Sequence, residues 1–320
     1  MLDLCMNCME RLENDQDICP NCQEPRDTKQ SQPFMPQKKI IGERYIIGKG
    51  IKKDTEGLSY IGYDFVKDNK VYIREFFPYE FCLRKADGTV FIDESLGSKS
   101  DFKQLLNSFL KYFRSVARLR NLSSITAVYD ILEQNNTAYV IMQWVEGKTL
   151  DKYLSERGDI LSWKEARILF MPLLSSLSKM HSAGVSHLGV APCNMIIDSE
   201  NKIKLTGFAT KNLRTTGNII GNELFDGCSA LEQYMSNADV IESTDVYGFA
   251  ASLFFALTGE YPLSAPERKK KDRLLMPSNV MKELPETVVS AIANALRVYP
   301  NSRTISFETL RIELSNSPIL

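Results

Sequence analysis

A change of hydrophobic period partway along the chain sets the tightest limit on its fold. The runs RYIIGKG (44–50), LSYIGYDF (58–65) and KVYIREFF (70–77) are rich in β-branched and aromatic residues, with turn residues between them. They predict strands. The next segment, SDFKQLLNSFLKYFRSVARLR (100–120), repeats its apolar residues at three and four. Phe102, Leu105, Leu106, Phe109, Leu110, Phe113 and Val116 fall on one face, and Ser100 is the expected N-cap. Two further strand signals follow, ITAVYDIL (125–132) and TAYVIMQWV (137–145), joined by the polar turn EQNN. After Gly147 the pattern is mostly helical. A small β-rich lobe followed by a larger helical lobe predicts an α+β, two-lobed arrangement. A chain of 320 residues has ample material for such cores, and no internal repeat or low-complexity segment is visible.

Ahead of the strands, Cys5 and Cys8 form one Cys-x-x-Cys knuckle and Cys19 and Cys22 another. Two such turns joined by a short hairpin supply the four soft ligands of a tetrahedral Zn²⁺ site. No His lies nearby, so the expected site is four-thiolate, closed and structural. A segment this small folds only with help, and metal binding supplies on the order of 10–16 kcal/mol in small zinc modules. Residues 1–24 are therefore read as a zinc ribbon. Its cations, Arg11 and Arg26, face Asp3, Glu10, Glu13, Asp15, Asp17, Glu24 and Asp27, which argues against nucleic acid and for a protein-docking knob or cap. Residues 25–42 carry three prolines and little periodicity, a linker signature. Phe34 and Met35 are expected to pin that linker to the next domain, which runs over 43–316.

A net charge of −1 exerts no general pull toward nucleic acid or anionic lipid. The other three cysteines are scattered, so no disulfide framework is present. The start of the chain shows no secretory signal, and the longest apolar run, VYGFAASLFFALTG (246–259), is too short to span a bilayer. The chain is expected to be cytoplasmic, without a membrane segment, and that run a buried helix. The basic run RKKKDR (268–273) reads as a solvated loop.

In HLGVAPCN (187–194), LTGFAT (205–210), CSALEQY (228–234), STDVYGFAASLFFALTGEYP (243–262) and YPNSRT (299–304), residues 43–316 resemble a eukaryotic-type protein kinase domain of the bacterial Ser/Thr class. These match the order and spacing of the HRDxxxxN loop, the DFG loop, the segment ending in APE, the central helix of the large lobe and the late arginine loop. The resemblance implies a bilobal protein kinase-like fold with a β-rich N-lobe and a helical C-lobe. It also implies roles for single positions. Arg74 stands for the strand-borne lysine, and Tyr112 is near the place of the glutamate that orients it. Asp101 is the only acid between 101 and 120, so that ordering ion pair is not expected to form. Tyr72 stands for a small residue against the adenine ring and is expected to occlude part of the nucleotide cavity.

The base position is Gly189 and the metal position Gly207; Asn194 is retained, but a lone amide is a poor Mg²⁺ site. Asp198 and Glu200 fall in a turn, and Glu223 and Asp226 further on, none spaced to substitute. In the phosphate-covering segment Gly48, Gly50 and Gly57 are spread by an insertion whose Asp54 and Glu56 are expected to repel a triphosphate. Structural positions are kept: His187 packs in the core, Asp245 holds the loop backbone, and Glu232 and Arg303 form a tie. Leu188 replaces the loop arginine, so phosphorylation at Thr215 or Thr216 lacks its usual contact.

The substitutions fall on chemistry and spare architecture. The leading expectation is a non-enzyme, a pseudokinase with structural Zn²⁺ and weak or no binding of ATP and Mg²⁺. It would bind a protein partner as a scaffold or allosteric regulator in signalling. The alternative is an unconventional ATP-dependent Ser/Thr kinase or nucleotidyl transferase using a rearranged site with Arg74 and Asn194. A third reading makes the ribbon the working part.

Overall fold

The alternating runs of the first third become strands β1 (Ile40–Ile41), β2 (Tyr45–Lys53), β3 (Gly57–Asp64) and β4 (Asn69–Phe76) in the computed structural model. It describes residues 3–13, 17–26, 29–237, 239–272, 274, 277 and 282–315. Asp15, Asp27, Arg273 and the boundary expected at 316 lie outside the described residues. The chain divides into two compact units, 1–120 with 127–144, and 121–126 with 145–320.

In the first unit the strands extend through β7 (Val128–Gln134) and β8 (Thr137–Gln143) into a six-stranded antiparallel sheet of order β1-β2-β3-β4-β8-β7. The turn before β8 works because Asn135 and Asn136 both take positive φ, 56° and 58°, which matches the twist of the flanking strands. A small hairpin, β5 (Cys82–Arg84) with β6 (Val90–Ile92), precedes helix α1 (Lys99–Ala117). Its cap is Ser98, not Ser100: Ser98 Oγ accepts from Asp101 N at 3.0 Å, and Ser100 already lies inside the first turn. The predicted apolar face is buried except Leu106, which is half-buried. Phe76, Phe102, Phe109 and Phe113 form an aromatic run with ring centroids 4.6–5.3 Å apart.

The hairpin carries a buried ion pair absent from the sequence reading. Arg84 Nη2 donates to Glu75 Oε2 at 2.7 Å, and Tyr60 Oη donates to the same oxygen at 2.7 Å. The linker is held as expected from Phe34 and Met35. Met35 N donates to Tyr60 Oη at 3.0 Å, and Arg84 Nε to Pro33 O at 2.8 Å.

In the second unit β9 (Gly147–Thr149), β10 (Met195–Asp198) and β11 (Ile203–Leu205) form a small sheet of order β11-β10-β9. Around it lie α2 (Leu150–Arg157), α3 (Trp163–Ser182), the short α4 (Lys211–Arg214), α5 (Glu242–Thr258), α6 (Ala265–Lys270), α7 (Glu286–Ala295) and α8 (Phe307–Ser315). Ser162 and Glu165 form a reciprocal capping box at the start of α3. Residues 243–257 of α5 are all buried, as the unbroken apolar run predicts, and Gly259 ends the helix at φ 77°. Arg268 to Lys270 belong to α6 rather than to a loop, and Arg268 is buried, donating to Leu296 O at 2.7 Å and to Tyr247 Oη at 3.3 Å. Among the described residues no helix is long and apolar enough to cross a membrane.

Candidate functional site

The first candidate is the N-terminal thiol cluster. The knuckles repeat each other's hydrogen bonds: Cys5 N donates to Glu10 O and Met9 N to Cys5 O, as Cys19 N does to Glu24 O and Gln23 N to Cys19 O. Each turn closes on a residue of positive φ, Met9 at 57° and Gln23 at 60°. The four Sγ atoms of Cys5, Cys8, Cys19 and Cys22 lie within 4.8 Å of one another. Cys5 and Cys22 stand 3.7 Å apart, Cys8 and Cys19 3.6 Å. A tetrahedron with Zn–S bonds of about 2.3 Å has edges near 3.8 Å, so the donor set fits zinc in both size and softness. Burial pushes the Cys8 thiol up to about 12 and Cys22 up as well, whereas at Cys19 the N–H groups of Cys22 and Asn21 outweigh burial and hold the thiol at about 7, so Cys19 is the thiol of the set that gives up its proton first.

The second candidate surrounds Arg74 on β4. Its side chain is 4% exposed and donates through Nη1 and Nη2 to both oxygens of Asp54 at 2.7 Å, with Glu56 Oε2 at 3.3 Å. Arg74 therefore has an acidic partner, though not one from α1. The acid comes from the turn between β2 and β3, through the very insertion expected to repel a nucleotide. Burial pushes the Asp54 carboxyl up, and the guanidinium more than offsets it, leaving it below its ordinary value. Tyr72 Oη donates to Ser59 Oγ at 2.6 Å, which tethers the ring to β3. Tyr112 is half-buried on α1, edge-on to Phe113 at 5.3 Å.

The third candidate is the loop pair of the second unit. Asp245 on α5 accepts from His187 N at 2.7 Å, from Leu188 N at 2.6 Å and from His181 Nε2 at 2.8 Å. This carboxylate holds the loop while Leu188 adopts φ 58°. His187 Nδ1 accepts from Gly189 N at 3.2 Å and its Nε2 lies 2.9 Å from Thr206 O, the pattern of a neutral ring with its proton on Nε2. Asn194 Nδ2 donates to Gly189 O at 2.8 Å. Its amide also fills the space beside Gly207: a Cβ there would stand 2.3 Å from Asn194 Oδ1, at φ 75°.

The residue that sequence reasoning missed is Arg214. It is 1% exposed and donates to Glu223 Oε2 at 2.7 Å and to Gly207 O at 2.6 Å, over the Phe225 ring at 4.9 Å. A Cβ on Gly189 would meet its Nε at 2.9 Å, and that buried Nε has no hydrogen-bond partner among the described residues. A guanidinium therefore lies beside both glycines where the resemblance placed carboxylates. No motif marks it; only the fold brings residue 214 back onto 189 and 207. The buried Glu232 and Arg303 pair at 2.7 Å. Asp198 does cap its turn, accepting from Glu200 N and Lys202 N.

A pH effect follows from the two histidines. Burial pushes His187 down to about 4, whereas an unfolded imidazole titrates near 6.5. Between these values the unfolded chain binds more protons, so stability falls as pH drops through the window, by about 3 kcal/mol in full. His181 opposes this. Burial lowers it, but Asp245 more than compensates and raises it, so its contribution is present below pH ~6.5 and lost as pH rises. The variant His181→Asn is expected to lose stability more steeply than the parent between pH 7 and pH 4.5 in urea denaturation. Parallel curves would show that Asp245 does not raise His181 in the folded protein.

Among known proteins, the family model described as protein kinase domain matches residues 82–312. A "Probable serine/threonine-protein kinase" of Clostridium acetobutylicum is 24% identical over 226 residues, covering 67% of this chain and 34% of that protein. The serine/threonine-protein kinase PknL of Mycobacterium tuberculosis is 28% identical over 231 residues, covering 70% of this chain and 52% of PknL. The chain thus spans about a third to a half of the length of these curated relatives. The solved structure of the PpkA-294 apo form superposes with a TM-score of 0.72 at 22% identity, covering 88% of this chain and 99% of that one, a likeness of fold.

These findings overturn the expectation of a non-enzyme. The matching family and the relatives named as kinases point to an enzyme. Phosphoryl transfer runs on positioning and electrostatic stabilisation rather than on covalent chemistry. The β-rich sheet unit, the helical unit and the family match agree, and the chain belongs to the protein kinase domain family, alongside bacterial serine/threonine-protein kinases.

Proposed function

We propose that this chain is an ATP-dependent transferase of the Ser/Thr protein kinase class working from a rearranged site, with Zn²⁺ held by Cys5, Cys8, Cys19 and Cys22 as a structural ion. Its protein partner is then its substrate, whose hydroxyl oxygen attacks phosphorus. Attack at the γ-phosphorus breaks the bond to ADP; attack at the α-phosphorus transfers AMP and releases pyrophosphate. In either case the hydroxyl proton passes to solvent or to the leaving phosphate. The observation that carries this reading is the pairing of Asn194 and Arg214 on the two loops. Asn194 binds Gly189 O and stands against Gly207, while Arg214 binds Gly207 O and lies beside Gly189.

Mg²⁺ would neutralise phosphate charge, but this loop offers it one amide and no carboxylate at 189 or 207, so a protein-held ion does not fit. The charge instead falls to Arg214, a permanently charged guanidinium that is buried and paired with Glu223, and so would act through its charge beside Gly189 and Gly207 and not by direct contact.

Incubation with ATP labelled at the γ- or the α-phosphate, with a general Ser/Thr protein substrate, tests the proposal and separates the two reactions. Label transfer is expected to drop at least about tenfold in Asn194→Ala and in Arg214→Gln. No transfer of either label above a heat-denatured control would refute it.

A further inference from the structure

Gly48 and Gly50 lie on β2, and both are covered by the N-terminal segment. A Cβ on Gly48 would stand 1.9 Å from Met9 Cε and 2.7 Å from Met6 O. A Cβ on Gly50 would stand 2.3 Å from the Phe34 ring. Only glycine leaves room for these contacts. The backbone is engaged as well. Lys49 N donates to Met6 O at 2.7 Å, and Gly50 N donates to Gln30 Oε1 at 2.7 Å. Gln30 Nε2 donates to Gly48 O at 3.3 Å. Three successive residues of β2 are therefore bonded to the ribbon and linker. This is also where β2 slips its register with β3, between Ile47 and Gly50 and again before Lys52. A strand with a broken ladder depends on other partners for its order.

The contact extends beyond the glycines. Leu4, Met6 and Met9 are buried together with Ile46, Ile61 and Tyr63. Arg11 pairs with Asp68 at 2.5 Å, and Lys70 with Glu10 at 3.4 Å. Met6 and Met9 belong to the first knuckle, within one residue of Cys5 and Cys8. A turn this short keeps its shape through its ligated ion, so the ion determines where both methionines stand.

We propose that the N-terminal module is a metal-dependent clamp on β2. With an ion on the four thiolates, Met6, Met9, Gln30 and Phe34 hold the backbone at Gly48–Gly50; loss of the ion frees it. The clamp rests on the zinc reading above but not on any transfer activity. It makes Met9 a positioning residue for the glycine-bearing strand and couples that strand to zinc supply.

Hydrogen exchange by mass spectrometry on the full chain tests it, with zinc content measured in parallel. Stripping zinc with a strong chelator is expected to speed exchange over 47–53 at least about tenfold while α5 is unchanged. Met9→Ala, still loaded with zinc, is expected to do the same, and Met9→Leu to restore protection. Unchanged exchange over 47–53 in zinc-loaded Met9→Ala overturns the clamp and leaves the zinc reading intact. A chain that takes up no zinc overturns the metal dependence and the zinc reading together, whatever Met9→Ala shows.

Discussion

Replacing Arg74 with alanine should destabilise the first unit by about 3–5 kcal/mol, the usual cost of breaking a buried ion pair from one side. Asp54 and Glu56 have side chains 7% and 2% exposed, and both face the guanidinium. Without it, Asp54 keeps only backbone donors, Glu56 N and Gly57 N at 3.0 Å each. The pH dependence distinguishes lost charge from lost packing. In the parent the Asp54 carboxyl titrates below its ordinary value, so its contribution is present above pH ~4 and is lost as pH falls through the lowered value. In Arg74→Ala the guanidinium is gone and burial, which raises it, is opposed by Lys52 and the backbone N–H groups, so the carboxyl rises and protonation relieves the variant. The stability deficit is therefore expected to be greatest at pH 7 and to shrink toward pH 4.5 in urea denaturation. Arg74→Lys should recover only part of the loss, because an ammonium is a point charge and cannot match the two parallel bonds to Asp54. A constant deficit across pH would mean that packing, and not charge, holds this site.

Arg74 also shows where sequence reading stops. Its position in a strand could be read from the pattern, and the lack of any acid between 101 and 120 beyond Asp101 from the residues themselves. Its actual partners could not, because a loop insertion has no period and nothing in DTEG states which way Asp54 turns. The thiol cluster was legible because ligand spacing is a local property, set by two tight turns. The buried course of α5 was legible because a helix apolar all round has nowhere else to go. Asp245 and the Glu232–Arg303 pair were named from the resemblance; Asp245 accepts from His187 N, and Arg303 pairs with Glu232. Arg214 was missed because its role is entirely non-local: α4 is four residues long and carries no pattern. The reading of the two glycines counted the carboxylates missing from the motifs and kept Asn194, but had no way to see the cation that folds in beside them. Ser98 was passed over as the α1 cap because Ser100 sits nearer the apolar stripe, and a cap is decided by which hydroxyl reaches the N3 amide.

Glu232→Ala is expected to cost the second unit about 3–5 kcal/mol, on the same physical ground but with a different signature. Arg303 is fully buried and sits within a cage of acceptors. Its Nη1 and Nη2 meet both oxygens of Glu232 at 2.7 and 3.1 Å, and it also donates to Ser243 O, Arg297 O and Val298 O at 2.8–2.9 Å. Glu232 Oε1 accepts in addition from Thr244 Oγ1 at 2.7 Å. Removing the carboxylate leaves a positive charge in the core beside neutral carbonyls and the Tyr247 ring. Arg303→Met removes the charge but strands three carbonyls and a carboxylate, so it is expected to cost at least as much. The double variant Glu232→Leu/Arg303→Met should then recover only part of the sum, because the three carbonyls remain without donors. Glu232→Gln, which retains an acceptor for Thr244 and Arg303, should lose about half as much as Glu232→Ala. Urea midpoints for the four variants test this ordering. A double variant as stable as the parent would show that the carbonyls find water, and that the tie between residues 232 and 303 is a matter of charge alone.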